Sequence, residues 1–196
     1  MQVKRYFTSD LHYFDEGILW YCDRPYGSTE EMHRKLQENF LEMTQDADEV
    51  YMLGDICTGI SGWENRTPVD FSLLRKALLP FGIGKKPFYL LRGNHDVLPE
   101  ECYLELGFRS VLTRLDLEIA GQKTLLCHDP ALAQRPDTLC ICGHVHRLFE
   151  EVYNSERNIL AINVGVDVRG YKPVSEEMIV DIMEKHRFLC TRSSSV

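Results

Sequence analysis

In the stretch Leu90 to Val97, LLRGNHDV, an apolar run stops abruptly at Arg92, Gly93, Asn94, His95 and Asp96. Gly and Asn suffice for a turn. The arginine, histidine and aspartate beside them add groups that bind anions, metals or protons. The same concentration recurs at Asp10-Leu11-His12, Gly54-Asp55, His128 and Gly143-His144-Val145-His146. Five of the seven histidines fall in these places, and only His33 and His186 lie elsewhere. Mixed Asp, His and Asn donors suit Mn²⁺, Fe²⁺ or Zn²⁺, whereas Ca²⁺ prefers oxygen alone. These donors outnumber what one cation uses. Two cations about 3.5–4 Å apart, sharing a carboxylate, would use them, and such a pair activates water and clamps a phosphoryl displacement. On an extended segment residues i and i+2 face the same way, so Asp-x-His and His-x-His each aim two donors to one side.

Strands must carry these groups. Apolar, β-branched and aromatic runs predict strands at 3–9, 49–54, 87–92, 115–120, 123–128, 139–144, 159–164 and 177–182. Each donor cluster lies at the carboxyl end of one, where α/β sheets bind ligands. A capping box at Ser28 and Glu31 precedes a helix with Met32, Leu36, Phe40 and Met43 on one face. A second helix is expected from Thr67, with Pro68 at its first position and Asp70 in its first turn. A short helix near 99–106 precedes a loop, ELGFRS, and AGQK at 120–123 reads as a hairpin turn. The result is a layered α/β domain, part parallel and part antiparallel.

A chain of 196 residues with 44% hydrophobic and 27% charged residues fits one soluble domain, taken as 1–190 with a frayed tail at 191–196. The formal charge of −8 argues against a broad basic surface, and so against extended duplex DNA as partner. No apolar run reaches membrane-helix length, and the first residues lack a signal-peptide core. Seven cysteines, an odd number, point to reduced thiols and a cytoplasmic setting. Cys140-Ile141-Cys142 reads as core, with one buried and one half-buried thiol, and Cys127 as core. Cys57, close to Asp55, is a candidate redox-sensitive thiol. Trp20, Tyr21 and Trp63 are candidates for a pocket wall or for aromatic packing.

In order, DLH at 10–12, GD at 54–55, GNHD at 93–96, His128 and GHVH at 143–146 resemble the motifs of the calcineurin-like metallophosphoesterase superfamily. FTSDLH, YCDRPY, INVGVD and KPVS also resemble its small stand-alone bacterial and phage members. The resemblance implies an α/β, four-layer αββα sandwich of two mixed β-sheets flanked by helices. It implies two divalent ions, Mn²⁺ first, with Fe or Zn²⁺ as alternatives. Asp10, His12 and His146 would hold one, Asn94, His128 and His144 the other, and Asp55 would bridge them. His95 would be the general acid, Asp96 would hold its imidazole, with a helix N-cap as the alternative, and Arg92 would grip a phosphate oxygen, with a surface salt bridge as the alternative. The implied activity is hydrolysis of a phosphodiester or phosphomonoester by in-line attack of a metal-bridging hydroxide.

The chain departs from that subgroup in two places. Asp15 and Gly17 stand where relatives carry H-x-N, and Asp129 follows His128 where relatives carry an aromatic residue. A carboxylate there would repel a monoester more than a diester, which tilts the expectation towards a phosphodiesterase. The expected partner is a small phosphate ester, a nucleotide or short oligonucleotide. A nuclease or end-healing phosphatase, and a non-catalytic adaptor on the same fold, remain open alternatives.

Overall fold

The computed structural model describes residues 3–58 and 70–188. The expected tail at 191–196, the helix start at Thr67 and Pro68, and Trp63 lie outside the described residues. In order, the chain forms β1 (Arg5–Thr8), α1 (Gly17–Tyr21), α2 (Thr29–Met43), β2 (Glu49–Met52), α3 (Phe71–Leu78), β3 (Phe88–Leu91), α4 (Glu100–Glu105) and β4 (Ser110–Leu112). It continues with β5 (Arg114–Ile119), β6 (Gln122–Cys127), β7 (Thr138–Cys142), β8 (Glu151–Asn154), β9 (Ile159–Asn163), β10 (Val174–Ser175) and α5 (Glu176–Lys185).

Two five-stranded mixed sheets result, in the orders β10-β1-β2-β3-β4 and β5-β6-β7-β9-β8. β1 to β4 run parallel, and β10 closes their edge antiparallel. In the second sheet β6, β7 and β9 run parallel between antiparallel β5 and β8. Period-two alternation explains the layering. Tyr51, Leu53 and Leu91 face Leu126, Leu139, Ile141 and Ile162 of the other sheet, with Ile179 and Met183 of α5 in the same cluster. Val50, Met52, Phe88 and Leu90 take the opposite face, under Met32, Leu36 and Phe40 of α2 and Leu74 and Leu78 of α3. This is the expected pair of mixed sheets flanked by helices. Burial of each large side chain contributes about 1.5–3 kcal/mol.

Local signals account for most elements. Ser28 caps α2 by accepting from the Glu31 N–H, while the Glu31 carboxylate accepts from Gly27 N–H at 2.8 Å. Asp70 is the cap of α3, not a first-turn residue, and its side chain accepts from Ser72 and Leu73. The expected strand at 177–182 is instead part of α5. Ser175 caps that helix by accepting from Met178 N–H, Glu176 and Glu177 fill its first turn, and Ile179 and Met183 recur four apart. The β-branched residues that suggested a strand yield to cap and helical spacing. α1, β4, β8 and β10 are short elements that periodicity did not reveal. Cys140 and Cys142 are both fully buried, because β7 is central and covered on both faces.

His33 lies on α2, away from the donor clusters. Its Nε2 accepts from Phe14 N–H at 2.9 Å, and its ring stacks on Tyr13 at 4.3 Å. Burial pushes its pKa down to about 4. The unfolded chain, near 6.5, therefore binds the proton first as pH falls. Stability from this group is complete above pH 6.5 and is lost towards pH 4. The expected loss is about 1–2 kcal/mol, because the half-buried ring is partly screened. Urea denaturation at pH 7 and 4.5 should show a smaller loss for His33→Gln than for wild type. Equal losses would assign the effect to other groups.

Candidate metal centre

The carboxyl ends of β1, β2 and β3 in one sheet and of β6 and β7 in the other meet at one rim. After β1, the segment Asp10–Tyr13 runs along the segment after β2. Asp10 N–H donates to Gly54 O at 3.0 Å, His12 N–H to Asp55 O at 3.0 Å, and Tyr13 N–H to Ile56 O at 2.9 Å. The sheets are stitched across the rim. His144 N–H donates to both Asp10 carboxylate oxygens, at 3.1 and 3.0 Å, and His128 Nδ1 lies 2.7 Å from Leu53 O.

The backbone here is not extended, as the i, i+2 argument assumed. Asp10, His12, Asp55, His144 and His146 all have left-handed φ, at 60°, 52°, 54°, 71° and 44°. Such conformations cost of order 1–3 kcal/mol each and cluster at functional sites. Here they aim paired side chains inward while Leu11 between them enters the core. Glycines allow the close approaches between these loops. A Cβ on Gly93 would lie 2.1 Å from Asp55 Oδ1, and one on Gly54, at φ +89°, only 2.3 Å from Gly93 N.

Donor atoms of Asp10, His12 and His146 gather within 4.8 Å of one another, as do those of Asp55, His128 and His144. Asn94 Oδ1 lies 3.1 Å from His144 Nδ1 and 3.3 Å from His128 Nε2. All seven expected ligands are therefore together. The donor chemistry fits cations. His12 Nε2 is buried without a hydrogen-bond partner, while its Nδ1 lies 2.9 Å from Thr58 Oγ1 and 3.4 Å from Asp15. His144 Nδ1 and His128 Nε2 face each other at 3.2 Å, beside the Asn94 and Asp55 oxygens. Asp10, His12, Asp55 and His128 are buried, and Asn94 and His144 are exposed, so the rim opens to solvent on their side.

Burial opposes charge on Asp55, but the His128 hydrogen bond and the His128 and His12 charges hold its carboxyl down at about 2. His128 is pushed up to about 9 in return, burial opposing and Asp55 prevailing. A cation entering here must displace that imidazole proton.

The GNHD turn is built differently from expectation. Asp96 is buried, and its carboxylate accepts from Asp55 N–H at 2.8 Å, Ile56 N–H at 3.1 Å and Gly93 N–H at 2.9 Å. It clamps the β2 and β3 loops together. Arg92 Nη1 donates to Asp96 O and Leu98 O, both at 2.8 Å, and its guanidinium sits 5.2 Å from the Tyr103 ring centre. It braces the same loop. His95 is anchored by its own N–H on Asp55 Oδ1 at 2.9 Å, and its ring lies 5.1 Å from that of His12. Asp129 caps the 3-10 turn Pro130–Leu132 by accepting from Ala131 N–H, and Asp15 accepts from Ile18 N–H at the start of α1. Burial raises the Cys57 thiol well above its ordinary pKa, which removes the basis for a reactive thiolate there. Trp20 and Tyr21 lie on α1 with 86% and 66% of their surface exposed.

Sequence reading missed Arg24 and Asp167. Arg24 Nε lies 2.7 Å from Asp167 Oδ1 with both side chains fully buried, and Asp167 Oδ2 lies 2.8 Å from His146 Nδ1. The local signals were the YCDRPY and INVGVD segments, quoted without a role for Arg24 or Asp167.

A calcineurin-like phosphoesterase superfamily domain matches residues 5–185. An uncharacterized protein of Methanocaldococcus jannaschii is 32% identical over 96% of this chain and 96% of its own length. A UDP-2,3-diacylglucosamine hydrolase of Actinobacillus succinogenes is 28% identical over 70% of this chain, which spans only 50% of that relative. A crystal structure of an Aquifex aeolicus protein of unknown function superposes with a TM-score of 0.65, at 24% identity, covering 92% of this chain and 100% of that one. Among the described residues no helix is long and apolar enough to cross a membrane.

Proposed function

Because the chain belongs to the calcineurin-like phosphoesterase superfamily, we propose that it is a dinuclear-metal-dependent hydrolase of a phosphodiester or phosphomonoester. One observation carries the dinuclear reading. A single Asp55 oxygen, Oδ2, lies 3.2 Å from His128 Nε2 and 3.6 Å from His12 Nε2, between the two donor trios. When bound, two divalent cations supply an activated water and neutralise charge on the phosphoryl oxygens. Asp10, His12 and His146 would hold one, Asn94, His128 and His144 the second, and Asp55 would be shared by both. Mn²⁺ is the first choice for this donor set, with Fe or Zn²⁺ as alternatives.

His95 delivers a proton to the leaving oxygen. Its backbone N–H is held by Asp55, and its imidazole lies 5.1 Å from the His12 ring. Arg92 and Asp96 act on the loop that presents Asn94 and His95. The substrate approaches from the side of exposed Asn94 and His144. The net charge of −8 favours a small phosphate ester over a long polyanion. A nucleotide-like substrate is consistent with the UDP-bearing compound named for one relative.

The test is hydrolysis of bis-p-nitrophenyl phosphate beside p-nitrophenyl phosphate by Mn²⁺-loaded protein, with Asp55→Asn as blank. Turnover above the blank on either ester is expected, and their ratio assigns diester or monoester preference. No turnover with two metals bound would favour the adaptor reading.

A further inference from the structure

We infer that Asp167, locked by Arg24, is the positioning residue that fixes which ring nitrogen of His146 faces Asp10 and His12. The inference rests on the two-cation reading above and goes one layer outward from it.

Asp167 Oδ2 lies 2.8 Å from His146 Nδ1. An ionised carboxylate only accepts, so Nδ1 must carry a proton, and Nε2 is the ring nitrogen left to offer a lone pair to a cation once it gives up any proton of its own. The carboxylate itself cannot swing. Its two oxygens meet Arg24 Nε at 2.7 Å and Arg24 Nη2 at 3.0 Å, in a bidentate pair whose side chains are fully buried.

Arg24 reaches further. Its Nη2 also donates to Asp10 O at 2.7 Å, and its Nη1 donates to Leu11 O at 2.9 Å. One guanidinium thus holds the backbone of Asp10 directly and the imidazole of His146 through Asp167. Two of the three donors on this side of the site are set by a single ion pair. The donors Asn94, His128 and His144 on the other side have no bond to it among those described.

Cys22, His146 and Asp167 also bring donor atoms within 4.8 Å of one another. That trio is not a metal site of its own. Both Asp167 oxygens are occupied by a guanidinium, and a cation beside them would meet its positive charge unscreened.

Asp167→Asn preserves shape but frees the amide to present either a donor or an acceptor to His146. Mn²⁺ binding to metal-free wild type and variant is followed by calorimetry and by the electron paramagnetic resonance of the coupled pair. One equivalent should bind about 10–100-fold more weakly in the variant, the other should be unchanged, and the coupled signal should give way to that of isolated Mn²⁺. Unchanged binding of both equivalents, or equal weakening of both, would overturn the inference. Wild type that takes up fewer than two Mn²⁺ would overturn the two-cation reading with it, so the two failures are distinguishable. Should the variant not fold, Zn²⁺-loaded wild type serves. Nitrogen-15 correlation spectra of its imidazoles should show His146 protonated at Nδ1. Protonation at Nε2 would overturn the inference.

Discussion

Asp55→Asn is expected to fold, to bind Mn²⁺ poorly, and to lose turnover by more than His95→Ala does. The carboxylate lies within 3.6 Å of ring nitrogens of both His12 and His128, one from each side of the site. Its replacement by a neutral amide removes the charge that two nearby cations would share. His95→Ala tests the other half of the assignment. It should keep both metals and lose roughly 10²–10⁴ in rate. The loss should depend on the leaving group. p-Nitrophenolate departs without help from a proton, so an alkyl phosphate ester should show the larger deficit. Metal analysis of both variants beside their rates on the two esters decides the matter. Loss of metal from His95→Ala would make that histidine a ligand, and an equal deficit on both esters would remove its role as acid.

Asp96→Ala is expected to damage stability far more than a surface change. It leaves the amides of Gly93, Asp55 and Ile56 without their acceptor in a buried turn. Each orphaned amide costs about 1–3 kcal/mol, so the three together cost roughly 3–9 kcal/mol, a large part of the 5–15 kcal/mol typical of a folded domain. In a chain of this length that corresponds to a fall in Tm of roughly 6–36 °C. Asp96→Asn should fall between, since its amide oxygen still accepts while its NH₂ faces at least one donor. Thermal melts with and without Mn²⁺ measure this directly. An Asp96→Ala protein that melts within about 3 °C of wild type yet loses turnover would return Asp96 to the service of the His95 imidazole.

Asp96 and Arg92 also show where a motif stops being informative. Their types suit an acid-orienting carboxylate and a phosphate-gripping guanidinium, and the string GNHD does not say which partners they meet. The partners come from the loop after β2, the loop between β3 and α4, and α4 itself, at sequence distances of 40 and 41 residues for Asp96 with Ile56 and Asp55.

The amino-acid sequence by itself placed a cluster of Asp, His and Asn donors at the ends of apolar runs. Seven potential ligands in strict order, each behind an apolar run, implied strand ends meeting at one rim, because strand periodicity and the binding rule for α/β sheets are local and general. It also determined α2, whose cap and apolar face are contained in one stretch, Ser28 to Met43. It did not determine α5, where β-branched composition and helical spacing compete within ten residues and the cap at Ser175 tips the balance. Only the tertiary structure decided the left-handed turns at Asp10, His12, Asp55, His144 and His146, since contacts between segments far apart in the chain hold those backbones in costly conformations. Only it could place Arg24 against Asp167, 143 residues away. A buried ion pair has no periodicity to betray it. It becomes legible once folding has removed the water that would otherwise solvate each charge.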